Sequence, residues 1–198
     1  MSQSIETSPR LLLVDRNPEL VSALTLAFAA YPEVQVLEDD ILRVAQGCLV
    51  SPANSAGFMD GGIDRLYLEF FGLGLQARVQ DAIHRRYKGP MPIGAGLAVP
   101  TGHAHIPYLI VAPTMVSPER LDDARPCGMA MMAVLETARR NRSVIDRVYC
   151  PGLGTGVGAL SPADASTEMA LAYGRWRALR LGTDVPSAVS DAPGNPVR

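Results

Sequence analysis

The stretch from residue 40 to residue 72, DILRVAQGCLVSPANSAGFMDGGIDRLYLEFFG, contains a buried strand, a polar loop and the start of a helix. The apolar run at 48–50 predicts a strand that ends at Ser51-Pro52-Ala53-Asn54, and Gly61-Gly62 opens a helix that continues to about Phe71. The polar and glycine-rich residues between them therefore follow the carboxyl end of a strand. In open α/β sheets this edge is where ligands usually bind.

On both sides of this stretch, predicted strands alternate with predicted helices of ten or more residues. The other strands are predicted at 11–14, 34–37, 97–99, 108–112 and 147–150, and the other helices at 19–30, 76–87, 127–140 and 162–180. This alternation predicts an α/β domain with a largely parallel or mixed sheet and helices on both faces.

The predicted domain covers residues 10–181. Within it, residues 10–35 form a strand-helix extension that we expect to add an edge strand and a helix. The polar start, residues 1–9, is expected to be flexible. The tail, residues 182–198, carries three prolines without periodicity and is expected to be disordered.

A second glycine-rich loop, residues 152–158, follows the predicted strand at 147–150 and precedes a helix capped by Ser161. Glycines let backbone N–H groups close around an anion, and the amino end of a helix favours negative charge. The loop is therefore a candidate phosphate cradle, although an ordinary tight turn remains open on this pattern alone. A dinucleotide fingerprint is not indicated, because that motif belongs in the first strand-helix turn.

Composition excludes several classes of protein. The chain has 198 residues, of which 47% are hydrophobic and 19% charged, so a folded core is expected and a disordered chain is not. A formal charge of −2 disfavours bulk nucleic-acid binding. Lys88 is the only lysine, which excludes a Gly-Lys-Ser/Thr phosphate loop. The apolar run at 11–14 is too short for a signal peptide or a membrane span, and we expect a cytoplasmic protein without membrane contact.

The cysteines and histidines do not have the spacing of a metal site. Cys48, Cys127 and Cys150 are far apart in sequence and are expected to be buried, reduced thiols. His103 and His105 are expected on an exposed loop. No metal or cofactor is predicted.

The first predicted strand and helix, around Asp15 and Asn17-Pro18, resemble the opening of a bacterial response-regulator receiver. A receiver also needs a cluster of acids there and a phosphate-accepting Asp after its third strand. Here Asp15 stands alone and the third strand ends at Asn54, so a working receiver is not expected.

The motifs Asp40-Ile41, Ser51-Pro52-Ala53-Asn54, Asp60-Gly61-Gly62-Ile63-Asp64 and Phe70-Phe71-Gly72 resemble those of the macrodomain family in order and spacing. The family motifs are Gly-Asp-Ile, Asn-Ala-Ala-Asn, Gly-Val-Asp and Ala-Ala-Gly, and the spacing is that of the branch that hydrolyses ADP-ribosyl bonds. Gly154-Thr155-Gly156-Val157 resembles the family's phosphate loop. The resemblance covers about residues 36–179 and implies a three-layer α/β/α sandwich with a central mixed sheet.

The resemblance also implies a ligand, which is ADP-ribose or an ADP-ribosylated macromolecule. Asp40 would accept a hydrogen bond from the adenine amino group, assisted by the backbone N–H of Ile41. Asn54 would hold the hydroxyls of the distal ribose, and Asp64 would bind or activate water near the anomeric carbon. Asn54 and Asp64 are thus the predicted catalytic residues. The predicted backbone donors to the diphosphate come from Gly61, Gly62, Gly152, Gly154, Thr155, Gly156, Val157 and Gly158.

Three departures from the family pattern leave the exact ligand open. Asp60 stands where the hydrolase branch has another glycine, and a carboxylate beside a diphosphate would repel it. Ser51 replaces the first Asn of the Asn-Ala-Ala-Asn motif. Gly158 follows Val157 directly, so the family's aromatic residue there is missing, and Phe58 is the predicted replacement in the ligand site.

Three functions therefore remain open. Asp64 favours a hydrolase of ADP-ribosyl bonds, whereas Asp60 and the missing aromatic residue favour a non-catalytic reader of the same group. The third is a nucleotide-binding α/β protein of another kind.

Overall fold

The computed structural model describes residues 9–182, in which six strands and six helices follow one another along the chain. The elements are β1 (Arg10–Asp15), α1 (Pro18–Ala27), β2 (Gln35–Glu38), α2 (Ile41–Val44), β3 (Cys48–Ser51), α3 (Gly62–Phe71), α4 (Gly74–Tyr87), β4 (Leu97–Pro100), β5 (Tyr108–Val111), α5 (Arg125–Arg140), β6 (Arg147–Cys150) and α6 (Pro162–Leu181).

The strands form one six-stranded sheet in the order β2-β1-β6-β3-β5-β4. All neighbouring pairs are parallel except β4 and β5, which are antiparallel. The mixed sheet is thus confirmed. The edge position expected for the first strand is wrong, because β1 pairs with β2 on one side and β6 on the other. β2 occupies the edge instead.

Alternating side chains of the strands build a core on each face of the sheet. On one face, Leu11 and Leu13 of β1 pack into a core shared with α1, α5 and α6. On the other, Leu12 and Val14 pack into a core shared with α2, α3 and α4. This period of two is what an extended strand buried on both sides requires. The three-layer α/β/α architecture is therefore confirmed.

Several boundaries differ from those predicted. α1 ends at Ala27 rather than at residue 30, because the chain turns there and the Tyr31 N–H donates to the Phe28 carbonyl. The short helix α2 was not predicted. It forms because the Asp40 side chain caps it by accepting a hydrogen bond from the Leu42 N–H. The expected flexible start and disordered tail lie outside the described residues, apart from Pro9 and Gly182.

The three cysteines are free and buried, as predicted. Burial raises the pKa of the thiols of Cys48 and Cys127 to about 12. Within residues 9–182, the structure has no helix long and apolar enough to cross a membrane.

Candidate functional site

A cleft of about 510 Å³ opens at the carboxyl edge of the sheet. Parallel strands end together at one edge, so the loops after β1, β3, β5 and β6 meet there with the amino end of α3. The cleft brings together every predicted site residue except Asp40 and Ile41. The lining residues are Asp15, Asn17, Leu20, Pro52, Ala53, Asn54, Phe58, Asp60, Gly61, Gly62, Ile63, Asp64, Thr114, Met115, Pro118, Pro151, Gly152, Gly154, Thr155, Gly156, Val157 and Gly158.

The buried amide of Asn54 closes the loop that follows β3. Its Oδ1 accepts hydrogen bonds from the N–H groups of Ala56 (3.1 Å) and Phe58 (3.2 Å), and its Nδ2 donates to the Phe58 carbonyl (2.9 Å). Gly57 is required in this loop, because its φ is +72° and a Cβ would lie 2.8 Å from Ile83 Cδ1. Asn54 therefore shapes the loop and keeps one Nδ2 hydrogen for a ligand.

The closed loop places Phe58 in the wall of the cleft, with half of its surface exposed. An aromatic ring there offers an apolar surface to a sugar or a base. This position agrees with the expectation that Phe58 faces the ligand, and its contact with one stays a prediction.

Asp64 lies in the first turn of α3 and is only 6% exposed. Burial raises the pKa of its carboxyl to about 7, while the nearby Ser51 hydroxyl lowers it. Neither Asp64 Oδ1 nor Ser51 Oγ has a hydrogen-bond partner of ordinary geometry within residues 9–182. Asp64 can therefore exchange a proton near neutral pH, and its Oδ1 is buried without a hydrogen-bond partner among the described residues.

The loop at 152–158 is packed too closely for side chains at several positions. Gly154 has φ +73°, and a Cβ there would clash with Cys127 Sγ and lie 2.9 Å from Leu160 Cδ1. Cys127 Sγ donates a hydrogen bond to the Leu153 carbonyl (3.1 Å). The Gly158 carbonyl accepts one from the Leu121 N–H (2.9 Å). Contacts with α5 and with the segment before it thus hold one side of the loop, and the other side lines the cleft.

The two glycine-rich segments approach each other across the cleft. A Cβ on Gly61 would lie 3.4 Å from Val157 Cγ2. Val157 is 42% exposed. α3 begins at Gly62 in the cleft lining, and no side chain caps its amino end. An uncapped amino end of a helix suits an anionic ligand.

The charged side chains that line the cleft are all acidic among the described residues. They are Asp15, Asp60 and Asp64, and no Arg, Lys or His joins them. An anion bound here would therefore rely on backbone N–H groups and not on ion pairs.

The structure places Asp40 and Ile41 outside the cleft lining. Asp40 Oδ1 caps α2, and its Oδ2 accepts a hydrogen bond from Arg16 Nη2 at 2.5 Å. The side chain of Ile41 is buried in the core beneath α2. Each carboxylate oxygen of Asp40 thus already accepts a hydrogen bond within the protein.

The end of β1, the turn after it and the start of α1 contribute Asp15, Asn17 and Leu20, which sequence reasoning did not assign to the site. Asp15 accepts hydrogen bonds from the N–H groups of Asn17 (2.9 Å) and Gly152 (3.4 Å), so it joins this turn to the glycine loop. The sequence did carry a signal for this contribution. The turn follows a strand of a parallel sheet, and the rule that located the glycine loops applies equally to it.

His103 and His105 lie away from the cleft, beside the carboxyl end of α3. The His103 ring packs against those of Phe70 and Phe71, with centroids 5.3 and 5.7 Å apart, and its Nδ1 accepts a hydrogen bond from the Ile106 N–H. No group of three or more His, Cys, Asp or Glu side chains suited to a metal occurs within residues 9–182.

The fold and the cleft define a three-layer α/β/α protein with a glycine-lined pocket at the carboxyl edge of its sheet. The sequence model of the Macro domain family matches residues 50–169, and the chain belongs to this family. An uncharacterized protein of Aquifex aeolicus (strain VF5) is 29% identical over 137 residues, which are 69% of this chain and 78% of that protein.

Two solved structures share the fold at low sequence identity. The macrodomain of Mycobacterium tuberculosis DarG superposes with a TM-score of 0.59 at 23% identity, covering 69% of this chain and 87% of that one. Thermosipho africanus DarTG in complex with ADP-ribose superposes with a TM-score of 0.52 at 14% identity, covering 85% of this chain and 49% of that one.

Proposed function

We propose that the cleft binds ADP-ribose, free or attached to a macromolecule, and that the protein hydrolyses the ADP-ribosyl bond. Binding is supported by the two glycine-rich segments at 61–62 and 152–158, whose backbone N–H groups suit a diphosphate. The structural neighbour from Thermosipho africanus, solved in complex with ADP-ribose, supports the same ligand class.

Hydrolysis is supported by one observation above all, which is that Asp64 lies buried in the cleft lining, with an Oδ1 that has no hydrogen-bond partner among the described residues and a pKa of about 7. In the proposed step the oxygen of a water molecule bonds to the anomeric carbon while the bond from that carbon to the acceptor breaks. The bonding electrons leave with the acceptor, and Asp64 takes a proton from the water. The Asn54 Nδ2–H that the loop leaves unused would position the ribose for this attack.

A reader that binds the same group without chemistry is the second candidate. It is favoured by Asp60 in the cleft lining, where a carboxylate opposes a diphosphate. Release of ADP-ribose separates the two functions. We expect the chain to free ADP-ribose from ADP-ribosylated protein or nucleic acid, measured as soluble ADP-ribose over time. A chain that retains the modified macromolecule on a matrix but frees no ADP-ribose is a reader.

Replacing Asp60 tests whether its charge opposes the ligand. We expect Asp60→Asn to bind ADP-ribose about 2- to 10-fold more tightly, because an exposed like charge near the diphosphate is removed. The gain should shrink between 20 and 300 mM salt, since exposed charges are screened. Titration calorimetry at the two salt concentrations measures both effects. Equal affinities of wild type and variant at low salt would mean that Asp60 points away from the phosphates.

A further inference from the structure

We infer that Ser51 is a positioning residue for Asp64. Its hydroxyl donates a hydrogen bond to the buried Oδ1 of the ionised carboxylate, which leaves Oδ2 to take the proton of the attacking water. The inference rests on the proposed function, because it gives Ser51 a part in that reaction. The macrodomain motif has Asn at this position, so the hydroxyl is a feature of this chain.

The strand β3 directs the side chain of Ser51 toward α3. Side chains of a strand alternate between the two faces of the sheet. Cys48 and Val50 belong to the core beneath α5 and α6, whereas Leu49 belongs to the core beneath α3. Ser51 comes two residues after Leu49 and ends the strand, so its side chain points to the face that α3 covers. It is 1% exposed.

The helix α3 brings Asp64 to the same place. Asp64 and Tyr67 are both buried, and they share one face of the helix because they are three positions apart. The Tyr67 hydroxyl donates a hydrogen bond to the Val50 carbonyl at 3.2 Å, which holds α3 against the end of β3. Asp64 lies one helical turn closer to the cleft than Tyr67, and Ser51 lies one residue closer to the cleft than Val50. The two side chains therefore face each other.

The two facing atoms each lack a partner. Ser51 Oγ and Asp64 Oδ1 are both buried and have no hydrogen-bond partner of ordinary geometry among residues 9–182. A buried polar atom without a partner costs free energy. The hydroxyl can donate and the carboxylate oxygen can accept, so each supplies what the other lacks. The nearby Ser51 hydroxyl also lowers the pKa of Asp64 against the larger effect of burial, as a donor to the ionised form does.

The other titratable groups around Asp64 do not supply this hydrogen bond. The Tyr67 hydroxyl already donates to Val50, and burial raises its pKa, so it stays neutral. Asp15 and Asp60 also line the cleft, and an ionised carboxylate accepts hydrogen bonds but cannot donate them. Among the described residues, no Arg, Lys or His lines the cleft. The donor that faces Asp64 is therefore the neutral hydroxyl of Ser51.

The pH profile of ADP-ribose release tests the inference, with spontaneous release subtracted. In the wild type the rate should rise with a midpoint at a pH of about 7. Ser51→Ala should raise this midpoint by about one pH unit, because loss of a hydrogen bond to a charged group disfavours the ionised form. Its rate should be about 5-fold below that of the wild type at pH 7, and the deficit should shrink toward pH 9. Ser51→Thr keeps the hydroxyl and should restore the midpoint.

Ser166→Ala is the matched control for the loss of a buried hydroxyl. Ser166 Oγ is also buried without a partner among the described residues, but it lies on α6 and outside the cleft lining. This variant should keep the wild-type midpoint. If Ser51→Ala lowers the rate by the same factor at every pH, Ser51 has only a structural role and the inference is overturned.

An NMR titration of the Asp64 carboxyl without substrate separates this inference from the proposed function. The carboxyl carbon signal, assigned by its loss in Asp64→Asn, should titrate about one pH unit higher in Ser51→Ala than in the wild type. Equal midpoints in the two chains overturn the inference. A wild-type chain that frees no ADP-ribose overturns the proposed function, and the two midpoints still decide whether Ser51 holds the carboxylate.

Discussion

Asp64→Asn should lower the turnover of an ADP-ribosylated substrate by about 100-fold or more, the usual scale for a positioned acid or base. Asparagine has the same shape as aspartate but cannot take the proton of the attacking water. Affinity for ADP-ribose should stay within a few-fold, since the glycine loops and Asn54 are unchanged. The measurement is the single-turnover rate, with affinity determined separately by calorimetry.

The pH profile of the same reaction provides an independent check on this role. If ionised Asp64 is the base, the wild-type rate should rise as pH increases through about 7, where burial places the pKa of this carboxyl. Asp60→Asn is the matched control, because Asp60 lies four positions earlier, in the loop before α3, and is exposed. Loss of turnover in Asp60→Asn with a wild-type rate in Asp64→Asn would assign the chemistry to Asp60 instead.

The second prediction concerns stability. Asp64→Asn should stabilise the fold at pH 8 by about 2 to 4 kcal/mol, because burial of the ionised carboxylate costs free energy that an amide does not. The pKa of Asp64 is raised in the folded state, from 3.8 to about 7. Between these pH values the unfolded chain is ionised there while the folded chain keeps the proton. The contribution of Asp64 to stability is therefore lost progressively as pH rises through this window.

Urea unfolding of wild type and variant at pH 4, 6 and 8 measures this effect. The difference in the free energy of unfolding should be small at pH 4 and largest at pH 8. Other acids also change the free energy of unfolding with pH. One is Glu136, whose pKa the neighbouring Arg139 guanidinium lowers to about 2. Their contributions cancel in the difference between wild type and variant, because both chains contain them. Asp60→Asn should show no such trend. A constant difference across the three pH values would contradict a buried, protonated Asp64.

The sequence predicted the sheet and the loops that carry the cleft, because these depend on local patterns. Hydrophobic runs marked the strands, and glycines marked the loops at 61–62 and 152–158. The position of β1 inside the sheet was not predicted, since strand order depends on pairing between distant segments. The short apolar run at 11–14 would suit either an edge or an interior strand.

Details of the site depend on contacts that no local pattern encodes. Arg16 and Asp40 are 24 positions apart, and no local pattern predicts that they pair. The adenine contact of Asp40 that the resemblance implies stays a prediction. The three hydrogen bonds of Asn54 follow from the closure of its own loop. The raised pKa of Asp64 requires that α3 bury its first turn against the end of β3, where Ser51 lies.

Calorimetric titration of the wild-type chain with ADP-ribose, beside AMP and NAD, tests the central claim most directly. We predict saturable binding of ADP-ribose well below millimolar concentration, with AMP weaker because it lacks the second phosphate and the distal ribose that the glycine loop and Asn54 are proposed to hold. No detectable heat of binding at millimolar ADP-ribose would contradict the account.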